Sequence, residues 1–285
     1  MNNNTIKYKS NKKLSYINKT IAYKFGGNFK KPMEIVSHTF SGGEGTIVFN
    51  QDVTQLIEGA FDFDVNVIEV ELPTSVTFID AHTFGSTTKL RKVIAPGVKT
   101  IEYKAFNDCH ELREVELGND ITLIQPKAFE NCVKLNNVKI GTRTTLKENI
   151  FGSCLSLTNI ELSEGISKIP DYMFRKCENL ESITLPSTII AIGMKVFSGC
   201  KKLKEIYVKS EVPPIAPKEY IVSGGINKNL TDNWLLFNNV DNDIKIYIPT
   251  GSLDRYKEAK GWDEFQDLFV EFDYSGSIQD NENQS

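Results

Sequence analysis

Apolar residues recur along this chain at a fixed interval. A phenylalanine stands at Phe61, Phe84, Phe106, Phe129, Phe151, Phe174 and Phe197, in steps of 23, 22, 23, 22, 23 and 23 residues. Six positions after each comes an aliphatic, from Val67 and Leu90 through to Leu203. Nine after it stand Val70, Val93, Val115, Val138, Ile160, Ile183 and Ile206. Apolar residues also fill the eleventh position after the phenylalanine, from Leu72 to Val208, and the fifth before it, from Leu56 to Ile192. Alternation of the ninth and eleventh positions with mostly polar eighth and tenth ones is the period-2 pattern of a half-buried strand. A unit of 22 or 23 residues cannot enclose a core of its own. Successive strands must therefore stack in parallel at about 4.8 Å, with the phenylalanine and the remaining aliphatics filling the space behind them. Pro73 and Pro186 follow two of these strands and end them, because proline has no ladder donor.

The pattern predicts a repeat solenoid: a parallel β-sheet on one face, and short helical or irregular segments opposite. Segments such as Ala105-Phe106-x-x-Cys109-x-x-Leu112-x-x-Val115-x-Leu117 resemble the BspA-like leucine-rich repeats, and the resemblance spans roughly residues 50 to 270. It implies a right-handed superhelix used in adhesion or protein recognition, often at a cell surface, and supplies no catalytic residues to carry over. One departure is the start, Met1-Asn2-Asn3-Asn4-Thr5, which lacks the apolar segment of a secretion signal. The reading is then a cytoplasmic location by default, with cell-surface or virion association as alternatives.

Four parts follow. Residues 1–49 are an N-terminal segment and capping hairpin, 50–208 seven leucine-rich repeats, 209–273 an insert, last strand and C-terminal cap, and 274–285 a disordered tail. In the first part Ile35–Phe40 and Thr46–Phe49 flank Ser41-Gly42-Gly43-Glu44-Gly45, a hairpin signal whose second strand is expected to begin the sheet. At the other end Ile244, Ile246 and Ile248 predict a last strand, reached through an extended loop marked by Pro213, Pro214 and Pro217. Ser252 is expected to N-cap a helix over Leu253–Lys260 that Gly261 ends, with Trp262, Phe265 and Phe269 closing the core. Eight before the phenylalanine the repeats place Val or Ile, except that the Phe151 repeat places Arg143, which predicts a weak turn there.

Chemistry-bearing residues follow the repeat rather than converge. All five cysteines, Cys109, Cys132, Cys154, Cys177 and Cys200, stand three after a phenylalanine. A straight ladder of thiols cannot surround one metal ion, and parallel Cβ vectors at about 4.8 Å miss the geometry of a disulfide. They read as a buried column of free thiols. His82 falls in a solvent slot and His110 in a mixed one, and no phosphate loop, carboxylate pair or nucleophile elbow is present. The expectation is no enzyme, no cofactor and no metal. A net charge of −4 argues against nucleic acid as a partner, and no apolar run reaches membrane-spanning length.

The outward face of the sheet remains as the candidate site. Its tenth-position row runs Glu71, Ile94, Glu116, Lys139, Glu161, Thr184 and Tyr207, continued by Tyr247 on the last strand. Beside it run Glu69, Lys92, Glu114 and onward to Glu205 and Lys245, so that charges alternate along Glu69–Lys92–Glu114 and Glu116–Lys139–Glu161. The two tyrosines are read as outward-facing, and so dispensable for stability. The functional expectation is a noncatalytic protein that presents this face to a protein or glycan. The rival is a structural component of a larger assembly, such as a phage or prophage appendage. A site hidden in the 209–243 insert, with Lys218, Glu219, Tyr220 and Asp232, is the third reading.

Overall fold

Each phenylalanine marks one turn of a solenoid. A computed structural model describes residues 2–14, 22–26, 29–142, 144–216, 221–222, 225–226, 234–237, 240 and 243–275. Arg143, the insert residues Lys218, Glu219, Tyr220 and Asp232, Pro217 and the tail from residue 276 lie outside them. The eighth to eleventh positions form short parallel strands in register, so that Val70, Val93 and Val115 stand side by side. Alternation decides which side is wetted: on Lys92–Ala95 the valine and alanine are buried while Lys92 and Ile94 stay half-exposed.

The seven phenylalanine rings are buried and stack in one column, with centroids 5.0 to 6.1 Å apart. Phe237 of the insert extends the column at 5.8 Å. Burying each ring is worth about 1.5–3 kcal/mol, repeated every turn. The cysteines form a parallel column of buried free thiols, as their slot predicts. They also do more than fill space: each Sγ donates to the phenylalanine carbonyl of the preceding turn, for example Cys132 to Phe106 at 3.1 Å and Cys154 to Phe129 at 3.2 Å. Thr87 takes the same slot one turn earlier and donates its hydroxyl to Phe61 O at 2.7 Å.

The wall opposite the broad sheet is a second, narrow parallel ladder of two-residue strands rather than helical segments. Phe78–Ile79, Thr100–Ile101 and Leu123–Ile124 are typical, and the buried aliphatic five before the phenylalanine is the inward residue of each. Between this ladder and the broad sheet the chain turns sharply around each phenylalanine. It does so by placing left-handed residues two before and two after the ring, such as Lys104 (φ 54°) and Asp108 (φ 60°) around Phe106. Their amides donate forward to the next turn, Lys104 N to Pro126 O at 3.2 Å and Asp108 N to Glu130 O at 3.0 Å. Up to three separate rows of hydrogen bonds thus tie one turn to the next.

The N-terminal cap differs from expectation in one respect. The hairpin forms, from Ile35–Ser41 and Glu44–Phe49, but Thr5–Ser10 inserts between it and the first repeat strand, antiparallel to both. Ile6 and Tyr8 of this strand point inward and are buried. A side chain on Gly45 would collide with the Tyr8 ring, which lies over the bare glycine and stacks on Phe40. At the other end Lys245–Pro249 joins the ladder beside Glu205–Val208, and Phe269–Phe272 adds one further parallel strand. The capping helix spans Leu253–Glu258. Ser252 precedes it as expected, but its hydroxyl bonds back to Pro249 O instead of capping an amide, so the helix start rests on backbone bonds. Gly261 (φ 89°) follows the helix in the left-handed region, and Trp262 and Phe265 are buried against the end of the core.

Candidate functional site

Because eighth- and tenth-position side chains point away from the core, the broad face carries two outward rows. Among the described residues its ladder runs in three stretches, with no pairing between Glu114–Leu117 and Asn137–Ile140 or between Asn159–Leu162 and Ser182–Leu185. The N-terminal strand extends the rows, since Lys7 pairs in register with Glu71 and Lys9 with Glu69. Their ammonium groups lie 3.7 and 2.7 Å from those carboxylates. Lys92 turns to Glu114 at 3.1 Å and to Glu116, and Lys139 reaches Glu161 at 3.3 Å. The simple sign alternation along the stack is therefore only partly realised: Glu69 holds Lys9, and Lys92 serves two glutamates on the next strand. The Glu116 hydrogen bond, followed by that of Glu114, holds Lys92 above its ordinary pKa, and Lys92 in turn lowers Glu116. These pairs lie in water, where each contributes little to stability. Ile94, half-exposed, sits between Glu71 and Glu116. Around it an open cleft of about 360 Å³ is bounded by Lys7, Thr46, Glu69, Glu71 and Lys92.

The other end of the face is aromatic. Tyr207 and Tyr247 stack at 4.5 Å with their planes 8° apart. Both hydroxyls donate to one carboxylate, Tyr207 to Glu205 Oε2 at 3.1 Å and Tyr247 to Glu205 Oε1 at 3.3 Å. Phe272 meets both rings edge-on at 5.6 and 5.8 Å, and Tyr274 packs on Phe272 and donates to Tyr247 O. Desolvation, then Glu205 through its hydrogen bond and its charge, raises the pKa of both tyrosines. The tyrosines do face outward, but as members of a four-ring cluster in which each is half-exposed. Phe272 and Tyr274 belong to no repeat, and neither do Lys7 and Lys9. The signal that could have found them is the alternation of Thr5–Ser10 and Phe269–Phe272.

The strip therefore sets the eight candidate residues along one face rather than in one pocket, in register within three stretches: Glu71, Ile94 and Glu116; Lys139 and Glu161; Thr184, Tyr207 and Tyr247. Glu116, Lys139, Glu161 and Thr184 are exposed, and Glu71, Ile94, Tyr207 and Tyr247 half-exposed. Elsewhere the chemistry is quiet. Burial pushes every cysteine thiol up, Cys200 to about 12, which keeps it protonated and unreactive near neutrality. His82 lies edge-on to Tyr103, His110 approaches Asp108 at 3.8 Å, and His38 Nε2 is 2.7 Å from the Tyr8 hydroxyl. Among the described residues no three metal-ligating side chains come together, and no helix is long and apolar enough to cross a membrane.

Parallel ladders, a phenylalanine column and an outward polar strip define a leucine-rich-repeat solenoid. The chain belongs to the BspA type leucine rich repeat family, whose description matches residues 30–113 and 99–220 in six copies. No curated protein matches it. Among solved structures it is similar to a leucine rich repeat protein of T. pallidum, with 28% identity and a TM-score of 0.50 over 54% of this chain and 73% of that one. It is also similar to a leucine rich cell surface protein of Faecalibacterium prausnitzii, with 25% identity and a TM-score of 0.52 over 67% of this chain. It spans about half, 51%, of that protein's length.

Proposed function

We propose that this protein is a noncatalytic recognition or adhesion module that presents the outward face of its broad sheet to a protein or glycan. The observation that carries the reading is the division of that face into a charged half, from Lys7 to Glu161, and an aromatic half around Tyr207 and Tyr247. Aromatic side chains on an exposed sheet give contact area with little conformational cost, and flanking charges orient the partner and set its approach rate. Family membership and likeness to a protein described as lying at a cell surface support binding or adhesion over chemistry.

The test uses the full chain against a glycan array and against a surface-protein extract. Two variants accompany it: Lys139→Glu with Glu161→Lys, which swaps the signs of one ion pair, and Tyr247→Ala. Each is expected to weaken the captured partner by about tenfold or more. Undiminished affinity in both variants would move recognition off this face.

A further inference from the structure

The outward strip has one notch. On the strand Ser182–Leu185 the two outward residues are Ser182 and Thr184, the shortest such pair on any strand of the strip. In register beside them stand Glu205 and Tyr207. On the other side, among the described residues, no ladder pairing joins this strand to Asn159–Leu162. Tyr247 covers one face of the Tyr207 ring and Phe272 meets its edge, so the face toward Thr184 has only a short side chain beside it.

Glu205 differs from the other outward glutamates. Glu69, Glu71, Glu114, Glu116 and Glu161 each lie within 4.0 Å of a lysine ammonium. Glu205 has no such ion pair among the described residues, and its two oxygens are aimed instead by the two tyrosine hydroxyls. Lys245 stands in register on the far side of Glu205, away from the notch, exposed and not in ion-pair contact with it.

We propose that this notch seats an arginine side chain of a protein partner, a proposal that rests on the sheet face being the binding surface. A guanidinium is planar, so it stacks on the open face of Tyr207 while its fork meets the Glu205 carboxylate. The carboxylate keeps lone pairs that the tyrosines do not use, and the hydroxyl oxygens of Ser182 and Thr184 accept the remaining N–H groups. A lysine ammonium supplies the charge without the plane or the fork. A neutral sugar stacks on tyrosine but gains nothing from the unpaired charge of Glu205.

The experiment titrates the full chain with three capped pentapeptides, Gly-Gly-X-Gly-Gly, where X is arginine, lysine or citrulline. It follows the tyrosine ring resonances. The arginine peptide is expected to saturate, the lysine peptide to bind about fivefold more weakly or worse, and the uncharged citrulline peptide not to saturate. Glu205→Gln, which removes the charge at constant shape, is expected to weaken the arginine peptide by about tenfold or more. Ser182→Leu, which fills the notch, is expected to do the same with an unchanged thermal melt. Equal binding of citrulline, or unchanged binding by Glu205→Gln, overturns the seat. If the partner caught on the sheet face binds Glu205→Gln as well as the native chain, the face stands and the arginine seat falls. If the peptide titrates as expected but the partner ignores both face variants, the seat stands and the face as principal surface falls.

Discussion

Pro170 occupies the position from which neighbouring turns donate to the narrow ladder, so the Leu146 carbonyl one turn earlier receives no such bond. The corresponding amides are Lys147 N, which reaches Ile124 O at 3.0 Å, and Gly193 N, which reaches Ile169 O at 2.7 Å. At this seam both sheets are interrupted. Among the described residues neither Thr145–Leu146 pairs with Lys168–Ile169 nor Asn159–Leu162 with Ser182–Leu185. The rings of Phe151 and Phe174 stand 6.1 Å apart, against 5.0 Å for Phe106 and Phe129. The third row of bonds persists, through Asn149 N to Asp171 O, Phe151 N to Met173 O and Ser153 N to Arg175 O.

Hydrogen exchange should report this seam. The amides of Lys168 and Ile169 are expected to exchange faster than those of Ala191 and Ile192, which sit in the same slots one turn later. Pro170→Gln restores a donor and is expected to slow exchange at residues 168 to 171. Equal rates in the native chain, or no slowing in the variant, would place the weakness elsewhere.

The thiol column gives a second prediction. In native buffer the cysteines should label slowly, and in denaturant all five should label. Cys132→Ala removes the bond to Phe106 O and leaves a small void, at an expected cost of about 1–2 kcal/mol. Cys132→Thr should cost less, since Thr87 makes the equivalent bond. Urea midpoints compare the two, and a threonine variant no more stable than the alanine variant would deny the bond a role.

Those same thiols set a pH dependence. Their folded pKa values lie above the ordinary 9.0, because burial disfavours the thiolate. A folded pKa above the unfolded one means the stability is fully present below about pH 9 and is lost as the pH rises toward the folded value. Replacing all five cysteines with threonine is therefore expected to flatten the fall in stability between pH 8.5 and 10.5, roughly the span over which an unfolded thiol titrates. An unchanged slope would assign that fall to other groups.

Left-handed positions held by ordinary residues are a further lever. Lys195 has φ 51°, and its turn geometry is shared by every repeat. Lys195→Gly removes the steric cost and is expected to raise stability by about 1 kcal/mol, while Lys195→Val should lower it by at least as much. Calorimetry on the pair decides, and a destabilising glycine would show that the lysine side chain contributes more than its backbone costs.

On the aromatic half of the strip, Tyr247→Ala exposes Tyr207 and Phe272 and is expected to cost about 1–2 kcal/mol. Thr184→Ala, at an exposed site outside the ring cluster, should stay within about 0.5 kcal/mol of the native chain. Equal stability of the two would mean that the four rings do not pack as a unit.

The core was legible because its residues repeat: the phenylalanine and its four aliphatic companions name the inward positions of every turn. The narrow ladder was not, since two residues are too few for a period-2 signal. The left-handed slots hold Phe63, His82 and Lys104 among others, so no run of glycines marks them. Thr5–Ser10 and Phe269–Phe272 escaped because they complete the sheet without belonging to the repeat. The candidate row could be read in order, yet its ion-pair partners and the four-ring cluster needed the caps in place. The sequence places its weak turn at Arg143, outside the described residues; one turn on, at Pro170, both ladders are interrupted together.

Hydrogen bonds join each turn only to its immediate neighbours, and so the length of this protein behaves as a copy number. Removing one whole unit from the evenly paired stretch between Phe61 and Phe106 leaves junctions of the same kind there, with both caps undisturbed. Each unit shortens or lengthens the outward strip by one strand spacing, about 4.8 Å. A lineage that gains or loses units thereby adjusts a molecular ruler in fixed increments, setting how far apart its charged and aromatic ends stand without inventing a new fold.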